Sequence, residues 1–198
     1  MSAISINAIS RDRFSDKSGE GDDAEIVQKC LQGDRQSFRH LYQRHQQRVR
    51  STLFQLCGNS ALDDLVQDVF VRAWKGLPNF RKTAKFSTWL YRITWNVACD
   101  RRRHLAQAHV QKQVLSNTAA LQQDASDLMN LHYQDVVQRG LEVLSLDHRA
   151  VLVLHDLEDV PQKDIAQILN IPVGTVKSRL FHARDALRQF LHKEGVQL

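Results

Sequence analysis

Residues 161–191 read PQKDIAQILNIPVGTVKSRLFHARDALRQFL, a pattern of two helices joined by a tight break. Ile165, Ile168 and Leu169 recur at helical spacing after Pro161, which sits where a first-turn proline is tolerated. Asn170-Ile171-Pro172 interrupts that stripe, because the residue before a proline is steered away from helical dihedrals while the proline itself can open the next helix. Beyond the break Val176, Leu180, Ala183, Leu187 and Leu191 form a second stripe, and Lys177, Ser178, Phe181, His182, Arg184 and Arg188 fall outside it. One helix packs; the other keeps a basic, hydrogen-bonding face open. That is the pattern of a helix-turn-helix, whose second helix lays polar side chains in the major groove of DNA. Gly174-Thr175 adds a small residue and a hydroxyl where unpaired amides and the helix dipole already favour phosphate. The plain competing reading is a helical hairpin with a solvated positive face.

The chain has 198 residues, enough for two small domains, and its formal charge of +5 suggests a polyanionic partner only if the charge is concentrated. Cys30, Cys57 and Cys99 lie far apart with no C-x-x-C pair, so neither a disulfide framework nor a zinc site is signalled. The start of the chain lacks the basic, apolar and small-residue order of a secretory leader, and no apolar run is long enough to cross a bilayer. A cytoplasmic protein without membrane insertion is the expectation.

Upstream of the helix-turn-helix the chain is also helical in pattern. Residues 1–23 are rich in Ser, Asp and Gly and are expected to form a flexible arm. Ile26, Val27, Cys30 and Leu31 make a short stripe that Gly33-Asp34 ends and recaps, and a long amphipathic helix follows to about Leu56. Residues 61–76 form a third helix with an acidic opening, Asp63, Asp64 and Asp68, where Gln67 lies one turn from Asp64. No histidine or further acid completes a metal set there, so no metal, cofactor or catalytic residue is expected; the acids suit the helix dipole or a basic partner helix. Between Arg72 and Arg103 nine cations face the single acid Asp100, and Trp89, Tyr91 and Trp95 are interleaved with them. On a helix, Phe86, Leu90, Ile93 and Val97 point one way with Trp89 beside them, and Tyr91, Arg92, Trp95, Asn96 and Arg103 another. Cations beside aromatics suit an unstacked nucleic acid, each stacked base being worth roughly 1–3 kcal/mol. Residues 105–130 have linker composition, and a compact four-helix unit is expected from about Leu131 to His192.

Four pieces in this order resemble the extracytoplasmic-function class of bacterial sigma factors, the promoter-reading subunits of RNA polymerase. They are Gly33-Asp34, Asp64-Leu65-Val66-Gln67-Asp68-Val69-Phe70, the run Phe86 to Ile93 ending in Asn96, and Pro172-Val173-Gly174-Thr175-Val176-Lys177-Ser178-Arg179. The resemblance implies an all-α protein of two small helical domains, region 2 over residues 24–104 and a region 4 helix-turn-helix over 131–198, joined by a flexible linker over 105–130. It implies that Asp64, Gln67, Asp68 and Phe70 bind core RNA polymerase. It further implies that Phe80, Arg81, Lys82, Thr83, Ala84 and Lys85 capture a minus-10 base, while Arg92, Trp95, Asn96, Arg102 and Arg103 hold the opened strand. Lys177, Ser178, Phe181 and His182 would read minus-35 duplex, with Thr175, Arg179 and Arg184 on phosphates. Promoter DNA and core polymerase are the implied partners, and an anti-sigma factor is a further one. Two departures stand out: His182 occupies a position where an arginine is common, and Pro161-Gln162-Lys163 replaces a Ser-Tyr-Glu-like stretch. A neutral imidazole cannot make the bidentate guanine contact of a guanidinium, so base preference there is open. The rival classes are a stand-alone helix-turn-helix regulator, which leaves the cations of residues 72–103 unused, and a metal-dependent nuclease built on Asp63, Asp64 and Asp68.

Overall fold

The computed structural model describes residues 19–80, 84–113 and 130–196, and among these the chain is helical with no strand. The first half holds α1 (Gly19–Leu31), α2 (Arg35–Cys57), α3 (Leu62–Gly76), a 3-10 turn (Leu77–Asn79) and α4 (Phe86–Gln113). Local chemistry sets the breaks. Gly33 takes φ of +100°, a region costly for side chains with a Cβ. Asp34 then caps α2, accepting from the Gln36 and Ser37 amides at 2.9 and 3.3 Å. The Ser37 hydroxyl donates to the same carboxylate at 2.7 Å, and this bond above all holds Asp34 below the usual carboxylate range. At the other end Gly58, with φ of +74°, donates its amide to the Phe54 carbonyl at 2.8 Å and stops α2. Between these stops the apolar stripes meet: Leu41, Val49 and Leu53 of α2, Val69 and Ala73 of α3, and Leu90 and Val97 of α4 are all buried. Each fully buried Leu or Val contributes about 1.5–3 kcal/mol, which is what orders this bundle.

The second half holds α5 (Asn130–Glu142), α6 (Leu146–Leu152) running into a π turn (Val153–Leu157), α7 (Gln162–Leu169) and α8 (Val173–Lys193). Ser145 caps α6 by accepting from the His148 amide. Asn170 ends α7 in the left-handed region at φ of +54°, a conformation its short polar side chain tolerates, and Pro172 enters α8. The two predicted stripes are buried: Ile165, Ile168 and Leu169 on α7, and Val176, Leu180, Ala183, Leu187 and Leu191 on α8. Gly140 in α5 lets α8 approach closely: a Cβ there would stand 2.6 Å from Leu187 Cδ1.

Two expectations change. Residues 19–23 are not part of a flexible arm: α1 begins at Gly19, and Asp23 is buried; the arm's remainder, residues 1–18, lies outside the described residues. The segment expected to be linker from residue 105 continues α4 as helix to Gln113, because a stretch without an apolar stripe can extend a helix already nucleated upstream; residues 114–129 lie outside the described residues. The two halves also pack on each other, α4 against α7, so that one apolar core runs through both.

Candidate nucleic-acid and partner interfaces

On α3 the acids are not equivalent. Asp63 is paired with Arg50, and Asp68 takes a two-pronged contact from Arg72, whose Nε and Nη2 lie 3.0 and 2.8 Å from its two oxygens. Arg72 also donates to Asp100 at 2.7 Å, and these bonds push its own proton affinity up. Asp64 and Gln67 are exposed. Beside them α2 and α3 frame an open groove of about 560 Å³ that includes Phe38, Tyr42, Phe70, Val71 and Trp74. Edge-on ring pairs shape it: Phe38 against Trp74 at 5.0 Å and Tyr42 against Phe70 at 4.7 Å. Phe70, implied by the resemblance as a polymerase contact, is only 5% exposed, so it forms the floor of the groove rather than its rim. Tyr42, Val71 and Trp74 are the exposed apolar residues here. The contact that reveals the groove is between helices, which a stripe on one helix cannot show. No group of three ligating side chains among the described residues is placed to hold a metal ion.

Phe80, the first residue of the segment expected to capture a base, belongs to an aromatic cluster. Phe80, Phe86 and Trp89 meet with centroids 5.0–6.0 Å apart, and His45 of α2 backs Phe86 at 5.3 Å. Phe80 and Ala84 are half-buried and Lys85 is exposed, while Arg81, Lys82 and Thr83 lie outside the described residues. Along α4, Arg92, Asn96, Arg102 and Arg103 are exposed and Trp95 is half-buried against the core. Arg92, Asn96 and Arg103 fall at i, i+4 and i+11, so they line one face. Tyr91, expected on that open face, is instead buried, its hydroxyl donating to Glu158 Oε2 at 2.8 Å. The second half covers it.

On α8, Lys177, Ser178, Phe181 and His182 are exposed side by side, Phe181 to 70%. The His182 ring lies 5.4 Å from Phe181 and 6.3 Å from His148. Thr175 is half-buried, and its carbonyl accepts from the Ser178 hydroxyl at 3.1 Å. The two arginines expected on phosphates are engaged within the chain: Arg179 donates to Asp147 at 2.9 Å, and Arg184 Nε to Asp156 at 2.9 Å. Burial pushes the Asp156 carboxyl up, but hydrogen bonds from Arg184 and His155 outweigh it and hold the group below its ordinary range. Asp147 and Asp156 lie about thirty residues from their partners, so no helical spacing could have announced them.

Comparison with known proteins agrees with this geometry. Residues 41–107 match the family model Sigma-70 region 2, and residues 134–187 match Sigma-70, region 4. The ECF RNA polymerase sigma-E factor of Escherichia coli is 31% identical over 175 residues, covering 83% of this chain and 92% of that protein. Its counterpart in Haemophilus influenzae is 28% identical, covering 83% and 93%. Among solved structures, the sigma factor RpoE in complex with the anti-sigma factor NepR from Bartonella quintana superimposes with a TM-score of 0.67 at 25% identity, over 78% of this chain and 96% of that one. CnrH in complex with the cytosolic domain of CnrY gives 0.65 at 25% identity, over 86% and 97%. Two helical halves, each matched in order by its own sigma-70 region, make this chain a member of the extracytoplasmic-function sigma factors, the subunits that direct bacterial RNA polymerase to promoters.

Proposed function

We propose that this sigma factor binds core polymerase through α3, opens the minus-10 element along α4 and reads the minus-35 duplex with α8. The observation that carries this reading is the exposure of two unlike nucleic-acid faces on one chain: the Arg92, Asn96 and Arg103 face on α4, and the Lys177, Ser178, Phe181 and His182 face on α8. The first suits an unstacked strand, because cations track its phosphates and Phe80, Trp89 and Trp95 supply rings nearby. The second suits an intact major groove: Lys177 and Ser178 reach base edges or phosphate, and Phe181 offers an apolar surface to a thymine methyl. Thr175 lies in the first turn of α8, where the helix dipole favours a phosphate.

The groove beside Asp64 and Gln67 fits an amphipathic, basic helix of the polymerase, its apolar residues meeting Tyr42, Val71 and Trp74. Asp68 is already held by Arg72 and contributes through that pair rather than as a free charge. Arg179 and Arg184 reach phosphate only if they are shared with, or released from, Asp147 and Asp156. The subunit catalyses no bond change of its own: strand opening follows from binding the opened strand more tightly than the duplex, which shifts the equilibrium by that difference. Its expected place of action is the cytoplasm, where polymerase and promoters are. Residues 24–104 and 131–198 act as the two functional units, and an anti-sigma protein, as named for the Bartonella relative, is a candidate regulator.

Reconstitution with core polymerase and a promoter library tests the reading. Specific initiation dependent on this chain is expected; tight duplex binding without any effect on core polymerase would favour the stand-alone regulator.

A further inference from the structure

The strand-holding stripe of α4 carries an acid in its middle. Arg92, Asn96, Asp100 and Arg103 follow one another at i, i+4, i+8 and i+11, so Asp100 stands between Asn96 and the last cation of that face. It is also the single acid of residues 72–103. A bare carboxylate in a line of groups that meet phosphate would repel the strand that the line holds.

The carboxylate is not bare. Its Oδ2 accepts from Arg72 Nη1 at 2.7 Å and its Oδ1 from Arg103 Nη1 at 3.0 Å. Arg72 belongs to α3 and is itself fixed by Asp68, whose two oxygens take its Nε and Nη2. Two carboxylates and two guanidinia thus form a string in the order Asp68, Arg72, Asp100, Arg103. Above all the Arg72 hydrogen bond holds the Asp100 carboxyl below its ordinary range, which keeps it ionised. One end of the string is anchored between two helices and the other is open: Arg103 is 69% exposed, and only its Nη1 is engaged among the described residues. Its neighbours differ. Arg101 donates to Ser60 Oγ at 3.1 Å, while Arg102 has no hydrogen bond or ion pair among the described residues.

We propose that Asp100 is a positioning residue for strand holding: anchored by Arg72, it keeps the Arg103 guanidinium on the α4 stripe, ready for a phosphate. The inference rests on the reading of α4 given above. A guanidinium presents five donors in a fixed fork, so one arm can stay on a carboxylate while the others meet a phosphate. A long side chain held in advance also has less freedom to lose when the strand arrives, which is the general gain of preorganisation. Removing Asp100 therefore weakens strand binding even though it takes a negative charge off a surface that faces DNA. Charge alone predicts the opposite sign, since one repulsion of the phosphates is gone.

A double-mutant cycle on holoenzyme, reconstituted from core polymerase and the full chain, tests this. Wild type, Asp100→Ala, Arg103→Ala and the double variant are titrated with a fluorescent single strand of minus-10 sequence. Asp100→Ala is expected to weaken binding about threefold to fivefold in the wild-type background. With Arg103→Ala already in place the same change should weaken nothing, because the group that Asp100 positions is gone. A merely structural Asp100 would instead cost the same in both backgrounds. Should Asp100→Ala unfold at the assay temperature, Asp100→Asn, which removes the charge and keeps the size, is read in the same cycle by the same outcomes. Binding unchanged or tightened by Asp100→Ala, or a loss as large without Arg103 as with it, overturns the proposal and leaves the α4 reading standing. Wild-type holoenzyme that ignores the strand, or Arg103→Ala holoenzyme that binds it as the wild type does, sinks the strand-holding reading of Arg103 and the proposal with it.

Discussion

Asp23 and His45, twenty-two residues apart in the chain, meet with Oδ2 2.7 Å from Nε2, and each side chain is only 6% exposed. Arg44 donates to the other Asp23 oxygen at 2.7 Å, so one carboxylate ties α1 to α2. His45 in turn backs Phe86, where α4 begins. Asp23→Ala leaves a buried imidazole and a guanidinium without this acceptor and should destabilise the first half by about 1–3 kcal/mol. Thermal denaturation read by circular dichroism measures the loss; a chain begun at Ala24 should lose as much.

Gly140→Ala opposes two effects. Alanine favours a helix over glycine by about 1 kcal/mol, while an added methyl meets Leu187 and Phe190 in a buried contact, and overpacking costs roughly 1–3 kcal/mol. A net loss of about 1 kcal/mol is expected by urea unfolding. A gain would show that Leu187 rotates away freely.

The Asp156 carboxyl is held below its ordinary range by Arg184 and His155. A depressed folded value means that its contribution is complete above the unfolded value of about 3.9 and disappears as pH falls through the folded one. Because Arg184 is nearly half exposed, solvent screening limits the contribution to roughly 0.5–1 kcal/mol. Melting temperatures of wild type and Asp156→Asn should differ by a constant gap from pH 7 to about pH 5 and converge below about pH 4. A gap unchanged at the acid end would mean that the carboxylate is not the stabilising group.

Lys177 is exposed and has no pairing carboxylate among the contacts described, unlike Arg179 and Arg184. If it neutralises one phosphate, Lys177→Ala should lower the logarithmic salt slope of minus-35 duplex binding by about one unit, measured by fluorescence anisotropy at several salt concentrations. Phe181→Ala should leave that slope intact and weaken binding most where the site carries a thymine methyl.

Asp64→Lys reverses a charge beside the aromatic groove without touching the core, since Asp64 is exposed. It should weaken association with core polymerase at least tenfold in a pull-down titration and spare minus-35 duplex binding. Equal loss of both would place Asp64 in the fold rather than at the interface.

Much of this protein is written in local sequence. Gly33-Asp34, Cys57-Gly58, Ser145 and Asn170-Ile171-Pro172 set the helix ends because caps and left-handed residues act within a few positions, and the apolar stripes name the buried faces because a helix repeats every 3.6 residues. Those same rules exposed Lys177, Ser178, Phe181 and His182 in advance. They could not place Asp23, which needed His45 and Arg44 on another helix to be worth burying. Nor could they assign Arg179 and Arg184 to Asp147 and Asp156, or move Tyr91 from an open face to a buried one. Each of those outcomes depends on a partner twenty or more residues away. Periodicity states which side of a helix is apolar; only the packing of the two halves states what lies opposite each polar group, and for a charge or a hydroxyl that neighbour decides the role.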